Sequence, residues 1–319
     1  MDLDKLDRRI LYHLSLDSRK SAREIGREVR ASKETVNYRI KRLVNKGVIN
    51  NFFTLMNLSS LGYEYYQVFL KMRDNTPTTD KRIIRFLVED SNCWNVRSLE
   101  GVYEVSFTFI AENPGSMWDF LRRLNEKFGD HITEDSTHTI LETYKMHQVF
   151  YASRTSRMTS MRHYDIEKND CDGLDMRIIE LTSNNARVKV SDIADRLGEP
   201  SQKIAYRMER LRDEGVIVLY SFDMNYHMLD MESIMICISL KDMGSFDNIL
   251  HFFDATNTSS YGYKLLGRYD ISVELQIRNP KMFRDIIGEF KRRFNGAYSD
   301  YDIFRTTQRF LLEKPIMPA

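Results

Sequence analysis

The chain has 319 residues, 42% hydrophobic and 29% charged, with a formal net charge of +1. This is ordinary globular composition with room for two to four domains, and no apolar run reaches the length of a bilayer span. The amino end is charged rather than signal-like, and Cys93, Cys171 and Cys237 are scattered without metal-ligand spacing; a reduced, cytoplasmic protein without membrane contact, metal or cofactor is therefore expected.

Three short helices are predicted between Asp4 and Lys46. Leu6 and Ile10, with Leu11 or Leu14, share one side of the first. Ser21 is an N-cap candidate for the second, with Glu24 three residues on as in a capping box, and Ile25 and Val29 four apart. Ser32 is the cap candidate for the third, whose apolar positions are Val36, Ile40 and Leu43. A helix in that register turns Glu34, Asn37, Tyr38, Lys41 and Arg42 outward, with Lys33 and Thr35 at its exposed leading end. Residues 1–50 carry 13 Lys and Arg against 7 Asp and Glu, a balance of +6. Two helices joined by a tight turn, the second polar and basic outside, suit a major groove, where Asn and Lys address base edges and Ser, Lys and Arg grip phosphate.

From Tyr65 to Tyr151 the order is strand, helix, strand, strand, helix, strand. Tyr65–Met72 is β-rich, and Thr78 or Thr79 is a cap candidate for a helix through Arg82–Val88. Trp94–Leu99 and Tyr103–Ala111 form a hairpin around Glu100 and Gly101. Pro114 opens a helix with Trp118, Leu121, Leu124 and Phe128 at its apolar positions, and Thr139–Tyr151 closes as a strand. Ala152–Asn169, rich in Ser, Thr and Arg, reads as a linker.

The pattern then starts again. Leu6–Ile49 and Leu174–Ile217 align without a gap at an offset of 168, with 14 of 44 positions identical. Gly101-Val102-Tyr103-Glu104 returns 166 positions later as Gly267-Arg268-Tyr269-Asp270. One two-part unit is duplicated. The second copy keeps the skeleton Ile204, Met208 and Leu211 but carries Pro200 for Ser32, with Ser201 as an alternative cap, and Lys203 for Thr35. It also has Ala205 for Asn37, Glu209 for Lys41 and Glu214 for Lys46, and residues 169–218 hold 8 Lys and Arg against 10 Asp and Glu, a balance of −2. Weak DNA grip or a turn to protein contacts is expected of it. Arg39, retained as Arg207 where that chemistry has faded, reads as partly structural, pairing with an acid of the first helix. The expected fold class is α+β, two tandem repeats of a winged helix-turn-helix and a ferredoxin-like βαββαβ sandwich. The domains are residues 1–50, 62–151, 170–218 and 230–314, with 152–169 as linker. Helices cover one face of each sheet, so the other face needs a partner, within the chain or on another.

The run Leu6, Asp7, Ile10, Leu11, Arg19, Glu24, Ile25, Ser32, Val36, Arg39, Ile40, Leu43, Gly47, Val48 and Ile49 resembles the leucine-responsive/asparagine-regulator (Lrp/AsnC) transcription factors. The resemblance implies a sequence-specific DNA-binding regulator contacting duplex DNA through Ser32, Lys33, Glu34, Thr35, Asn37, Tyr38, Lys41 and Arg42. It also implies an amino-acid-like effector near Gly101, Tyr103, Glu104, Gly267, Tyr269 and Asp270, where a carboxylate would hold an ammonium group. Since one competent module buries limited surface, chains are expected to associate as a homo-oligomer. The main alternative is an enzyme, since the sirohaem decarboxylases resemble this two-part organisation. They carry His-x-Tyr on the strand after the first sandwich helix, a region that here reads Asn92-Cys93-Trp94-Asn95-Val96-Arg97 and Thr258-Ser259-Ser260-Tyr261-Gly262-Tyr263, without His. The other alternative is a sensor or interaction protein that no longer touches DNA. No catalytic residue is assigned.

Overall fold

The computed structural model describes residues 2–73, 77–147, 157–165 and 167–310. The first copy contains α1 (Lys5–Leu16), α2 (Ala22–Val29), α3 (Lys33–Asn45), β1 (Ile49–Met56), β2 (Glu64–Met72), α4 (Pro77–Glu89), β3 (Cys93–Glu100), β4 (Val105–Ala111), α5 (Pro114–Phe128) and β5 (Ile132–His147). A further strand, β6 (Arg157–Arg162), precedes the second copy. That copy runs α6 (Gly173–Ser183), α7 (Val190–Leu197), α8 (Ser201–Asp213), β7 (Ile217–Met224), β8 (Glu232–Leu240), α9 (Phe246–Ala255), β9 (Ser259–Leu266), β10 (Ile271–Ile277), α10 (Pro280–Arg293) and β11 (Tyr298–Phe310). The α+β tandem-repeat reading holds.

The described residues fall into two compact units that cut across the repeat. One comprises Met1–Leu61, Met146–Thr159 and Glu167–Met231; the other comprises Gly62–Lys145, Ser160–Ile166 and Glu232–Ala319. The first unit thus holds both helix-turn-helix modules. Ile10, Leu11, Leu14, Ile25, Val36 and Leu43 are fully buried, and their counterparts are Ile178, Ile179, Thr182, Ile193, Ile204 and Leu211, equally buried. Burial of each such apolar side chain contributes about 1.5–3 kcal/mol, which is why the skeleton outlasts the changes around it.

The modules join through their wings. β1 and β7 pair antiparallel, and Phe53 faces Ser221, its own counterpart at the 168 offset. A strand that faces its own repeat marks a local two-fold axis. On either side of it, the Ser18 N–H donates to the Tyr220 carbonyl at 2.8 Å and the Ala186 N–H to the Phe52 carbonyl at 2.9 Å. Arg19 Nη1 donates to the carbonyls of Ala186 and Val188 at 2.7 and 2.9 Å. Arg187, its counterpart, donates to the carbonyls of Ser18 and Lys20. Each module's arginine therefore closes the other module's turn.

The second unit holds the eight strands of the two sandwiches, in the order β2-β4-β3-β11-β8-β10-β9-β5, and β5 pairs back onto β2. Each sheet keeps ferredoxin-like order, and the two meet edge to edge at β3–β11 and β5–β9, closing a barrel. The open sheet faces expected from sequence are thus enclosed within one chain. Outside, Val68, Leu70, Phe107 and Phe109 pack under Leu87, Phe120 and Leu124 of α4 and α5. Alternate residues face inward, as strand pleating requires. Phe69, Tyr103 and Phe304 cluster there, with Phe69 and Phe304 stacked at 5.4 Å.

Four expectations need correction. In α5 the buried residues are Met117, Phe120, Leu124 and Phe128, while Trp118 is 70% exposed and Leu121 only partly covered. Asn113 caps the helix, and both stripes have helical spacing. The last strand of the first sandwich begins at Ile132 rather than Thr139, because its early half pairs with β2. The stretch expected as a linker contains β6, which flanks β5, and the His163 N–H donates to the Leu141 carbonyl at 2.8 Å. Residues 152–156 and 166 of that stretch, and the side chains of Thr78 and Thr79, lie outside the described residues. Finally, Ser201 begins α8 without capping it; Pro200 occupies the cap position, with no side-chain hydrogen bond.

Candidate nucleic-acid interface

Each module is built around a buried aspartate. Asp4 and Asp7 form a capping box on α1: the Asp7 N–H donates to Asp4 Oδ1 at 2.8 Å and the Asp4 N–H to Asp7 Oδ2 at 3.3 Å. The Asp7 side chain is 1% exposed, and it accepts Arg39 Nη1 at 3.1 Å and Arg42 Nη2 at 2.5 Å from α3. Arg39 also reaches Asp4 at 2.5 Å. The same lattice recurs in the second copy: Asp175 accepts Arg207 at 3.0 Å and Arg210, and Asp172 accepts Arg207 at 2.8 Å. Burial acts to raise the Asp4 carboxyl, but the Asp7 amide and the Arg39 guanidinium outweigh it and hold the group below the usual carboxylate range. Asp172 is lowered by the Asp175 amide and, against a smaller effect of burial, by Arg207.

Arg39 is thus a structural partner of an acid in α1. Arg42, expected on the outer face, is corrected: its guanidinium turns inward to Asp7, so it is not an outward cation. A signal for this stood in the sequence, since Asp7, Arg39 and Arg42 all recur as Asp175, Arg207 and Arg210 although most neighbouring charges changed.

The remaining predicted residues lie on one face of α3. Ser32 caps the helix, its Oγ accepting the Thr35 N–H at 3.1 Å and lying 3.0 Å from Thr35 Oγ1. Lys33, Glu34, Asn37, Tyr38 and Lys41 are exposed, Tyr38 by 64%, and Thr35 is half-buried. Lys46 is exposed beyond the last turn, and Arg23, Arg27 and Arg30 are exposed along α2. The equivalent face of α8 presents Gln202, Lys203, Ala205, Tyr206 and Glu209, with Lys203 Nζ held 2.9 Å from Glu199. Tyr206 matches Tyr38 at 64% exposure. The exposed tyrosine persists while the basic Lys41 beside it gives way to the acidic Glu209.

The six residues of the paired turns come together where the two sheets join. A Cβ on Gly101 would meet the Phe304 ring at 2.8 Å and the Ile303 carbonyl at 2.9 Å; on Gly267 it would meet the His138 ring at 2.6 Å. Only glycine fits either crossing. The Tyr103 hydroxyl donates to Glu134 at 2.8 Å, the Tyr269 hydroxyl to Asp302 at 2.6 Å, and Arg268 bridges Tyr103 and Asp302. Glu104 accepts the Met72 N–H at 2.7 Å and Asp270 the Leu240 N–H at 2.6 Å, so each carboxylate already ties down a neighbouring strand. His138, buried and stacked on Tyr269 at 5.2 Å, is pushed down to about 4 by burial.

Among the described residues no group of His, Cys, Asp or Glu could hold a metal ion, and no helix is long and apolar enough to cross a membrane. A winged helix-turn-helix DNA-binding family model matches residues 3–50 and 172–218. The HTH-type transcriptional regulator PH1692 of Pyrococcus horikoshii is 31% identical over 146 residues, covering 46% of this chain and 95% of that protein. The HTH-type transcriptional regulator Ptr1 of Methanocaldococcus jannaschii is 48% identical over 62 residues, 19% of this chain and 42% of that protein. The structure of the sirohaem decarboxylase NirDL covers 97% of this chain and 92% of its own, with a TM-score of 0.67 at 13% identity; this likeness is one of fold.

Proposed function

The chain belongs to the Lrp/AsnC family of HTH-type transcriptional regulators and is a DNA-binding regulator, and from that premise we propose that α3 is its sequence-reading helix and that it has no enzymatic role. The observation that carries this reading is the divided face of α3. Arg39 and Arg42 are held by Asp7, whereas Lys33, Asn37, Tyr38 and Lys41 stand clear of the module. In a major groove Asn37 offers the paired donor and acceptor that suit adenine, and Lys41 a donor that suits guanine. Lys33 at the leading end and Arg23 and Arg27 on α2 are placed for phosphate. An amino-acid-like effector at the Gly101 and Gly267 turns belongs to the same reading; an ammonium group there would share Glu104 or Asp270 with a backbone amide.

Mobility shift of the full chain on duplex DNA at several salt concentrations tests the proposal. Affinity should fall steeply with salt, and Lys41→Ala should weaken binding about ten-fold while leaving the fold intact. Full affinity in Lys41→Ala would remove α3 from the groove. Thermal unfolding with a panel of amino acids tests the effector: a stabilising one raises the midpoint of the wild-type chain, and one that acts equally on the double variant Glu104→Gln, Asp270→Asn does so elsewhere.

A further inference from the structure

The local two-fold axis relates two recognition helices that are no longer alike. Phe53 faces Ser221, Ser18 and Ala186 exchange equivalent backbone bonds, and Arg19 and Arg187 close each other's turns. The pairing of modules that sequence reasoning assigns to association of chains is supplied within one. A two-fold pair of recognition helices addresses two half-sites about one helical turn apart, or a multiple of it, and identical helices impose a palindrome. Here α3 offers Lys33, Asn37 and Lys41, while α8 offers Gln202, Ala205 and Glu209 at and around the same positions.

We propose that one chain recognises a non-palindromic duplex site, reading bases in the half under α3 and holding the other half through α8 with contacts that carry little sequence information. This rests on the assignment of α3 to the groove and adds the identity of the second half. The acceptor-only Glu209 cannot bind phosphate, and Ala205 has no polar group to address a base. Tyr206 can still donate its hydroxyl to a phosphate, at 64% exposure, and Gln202 is exposed at the leading end of α8. With the cation Lys203 paired to Glu199, neutral donors of this kind hold a backbone without releasing counterions. The second half should therefore be protected by the protein yet tolerant of base changes.

The test is selection of duplexes from a random library with the full-length wild-type chain, then hydroxyl-radical footprinting on the selected sequence. The expected result is two protected patches, only one with a selected sequence. Base changes in that patch should cost about ten-fold or more each, and changes in the other less than about two-fold. Tyr206→Phe, which keeps the ring, should weaken protection of the second patch alone, whereas Lys41→Ala should weaken both because it removes the specific anchor. A palindromic consensus, a single protected patch, or two chains bound through two α3 helices at matching half-sites would each overturn the proposal. If no duplex is selected at all, α3 itself has been misassigned and the inference falls with it.

Discussion

The two helix-turn-helix modules share a scaffold and differ on their outer faces. What they share lies inward: the skeleton around Ile10 and Ile178, the aspartates Asp7 and Asp175 with their two arginines, and the exchanged Arg19 and Arg187. What differs faces solvent, where Lys41 becomes Glu209 and Asn37 becomes Ala205. Inward positions are constrained by a neighbour in their own module or the paired one, and outward ones by an external partner. A charge retained in both copies therefore points to packing, and a charge retained in one points to recognition.

The largest effect should come from that shared interior. Asp7→Ala and Asp175→Ala each remove the buried carboxylate that two arginines share, leaving Arg39 and Arg207 only their bonds to Asp4 and Asp172, at a cost of about 2–3 kcal/mol once the partial exposure of the arginines is allowed for. Urea unfolding should show similar losses for the two variants; a loss confined to one would break the equivalence.

In the other unit, His138 stands where the second copy has Phe304. A histidine held near 4 when folded binds its proton more readily once unfolded. Stability is therefore full above about pH 6.5 and declines as pH falls toward 4, by about 2–3 kcal/mol at most. His163, also lowered to about 4 by burial, acts in the same window. His138→Phe should flatten, though not abolish, the decline measured by unfolding between pH 7 and 4; an unchanged profile would mean the ring does not control it.

Smaller still are the exposed faces. Lys41→Glu, copying the second module, should weaken DNA binding more than ten-fold, and Glu209→Lys should strengthen it and steepen the salt dependence by about one phosphate contact, read by fluorescence anisotropy. Equal and opposite changes would sharpen the contrast between the helices. At the cap, Ser32→Ala should cost about 1 kcal/mol, whereas Pro200→Ala, with no cap bond to lose, should cost less in the same unfolding assay.

Much of this is legible in the sequence. The helices of both modules follow from apolar spacing and from caps such as Ser21 with Glu24, whose reciprocal bonds are present. Closure of the barrel was not legible, because the edge pairing of β3 with β11 depends on backbone groups that every residue carries. Trp118 lies off the buried stripe because a helix allows two apolar stripes one residue apart, and spacing alone does not choose between them. Of the α3 face, Lys33, Asn37, Tyr38 and Lys41 were readable from register, while Arg42 required knowing how far its guanidinium reaches toward α1.

The strand register that sets Phe53 against Ser221 also bears on how the regulator behaves when scarce. Partners on one polypeptide meet at a fixed effective concentration, so dilution does not separate them and paralogues cannot trade places with them. Cells holding a few copies would still hold complete pairs, and each half is free to drift on its own.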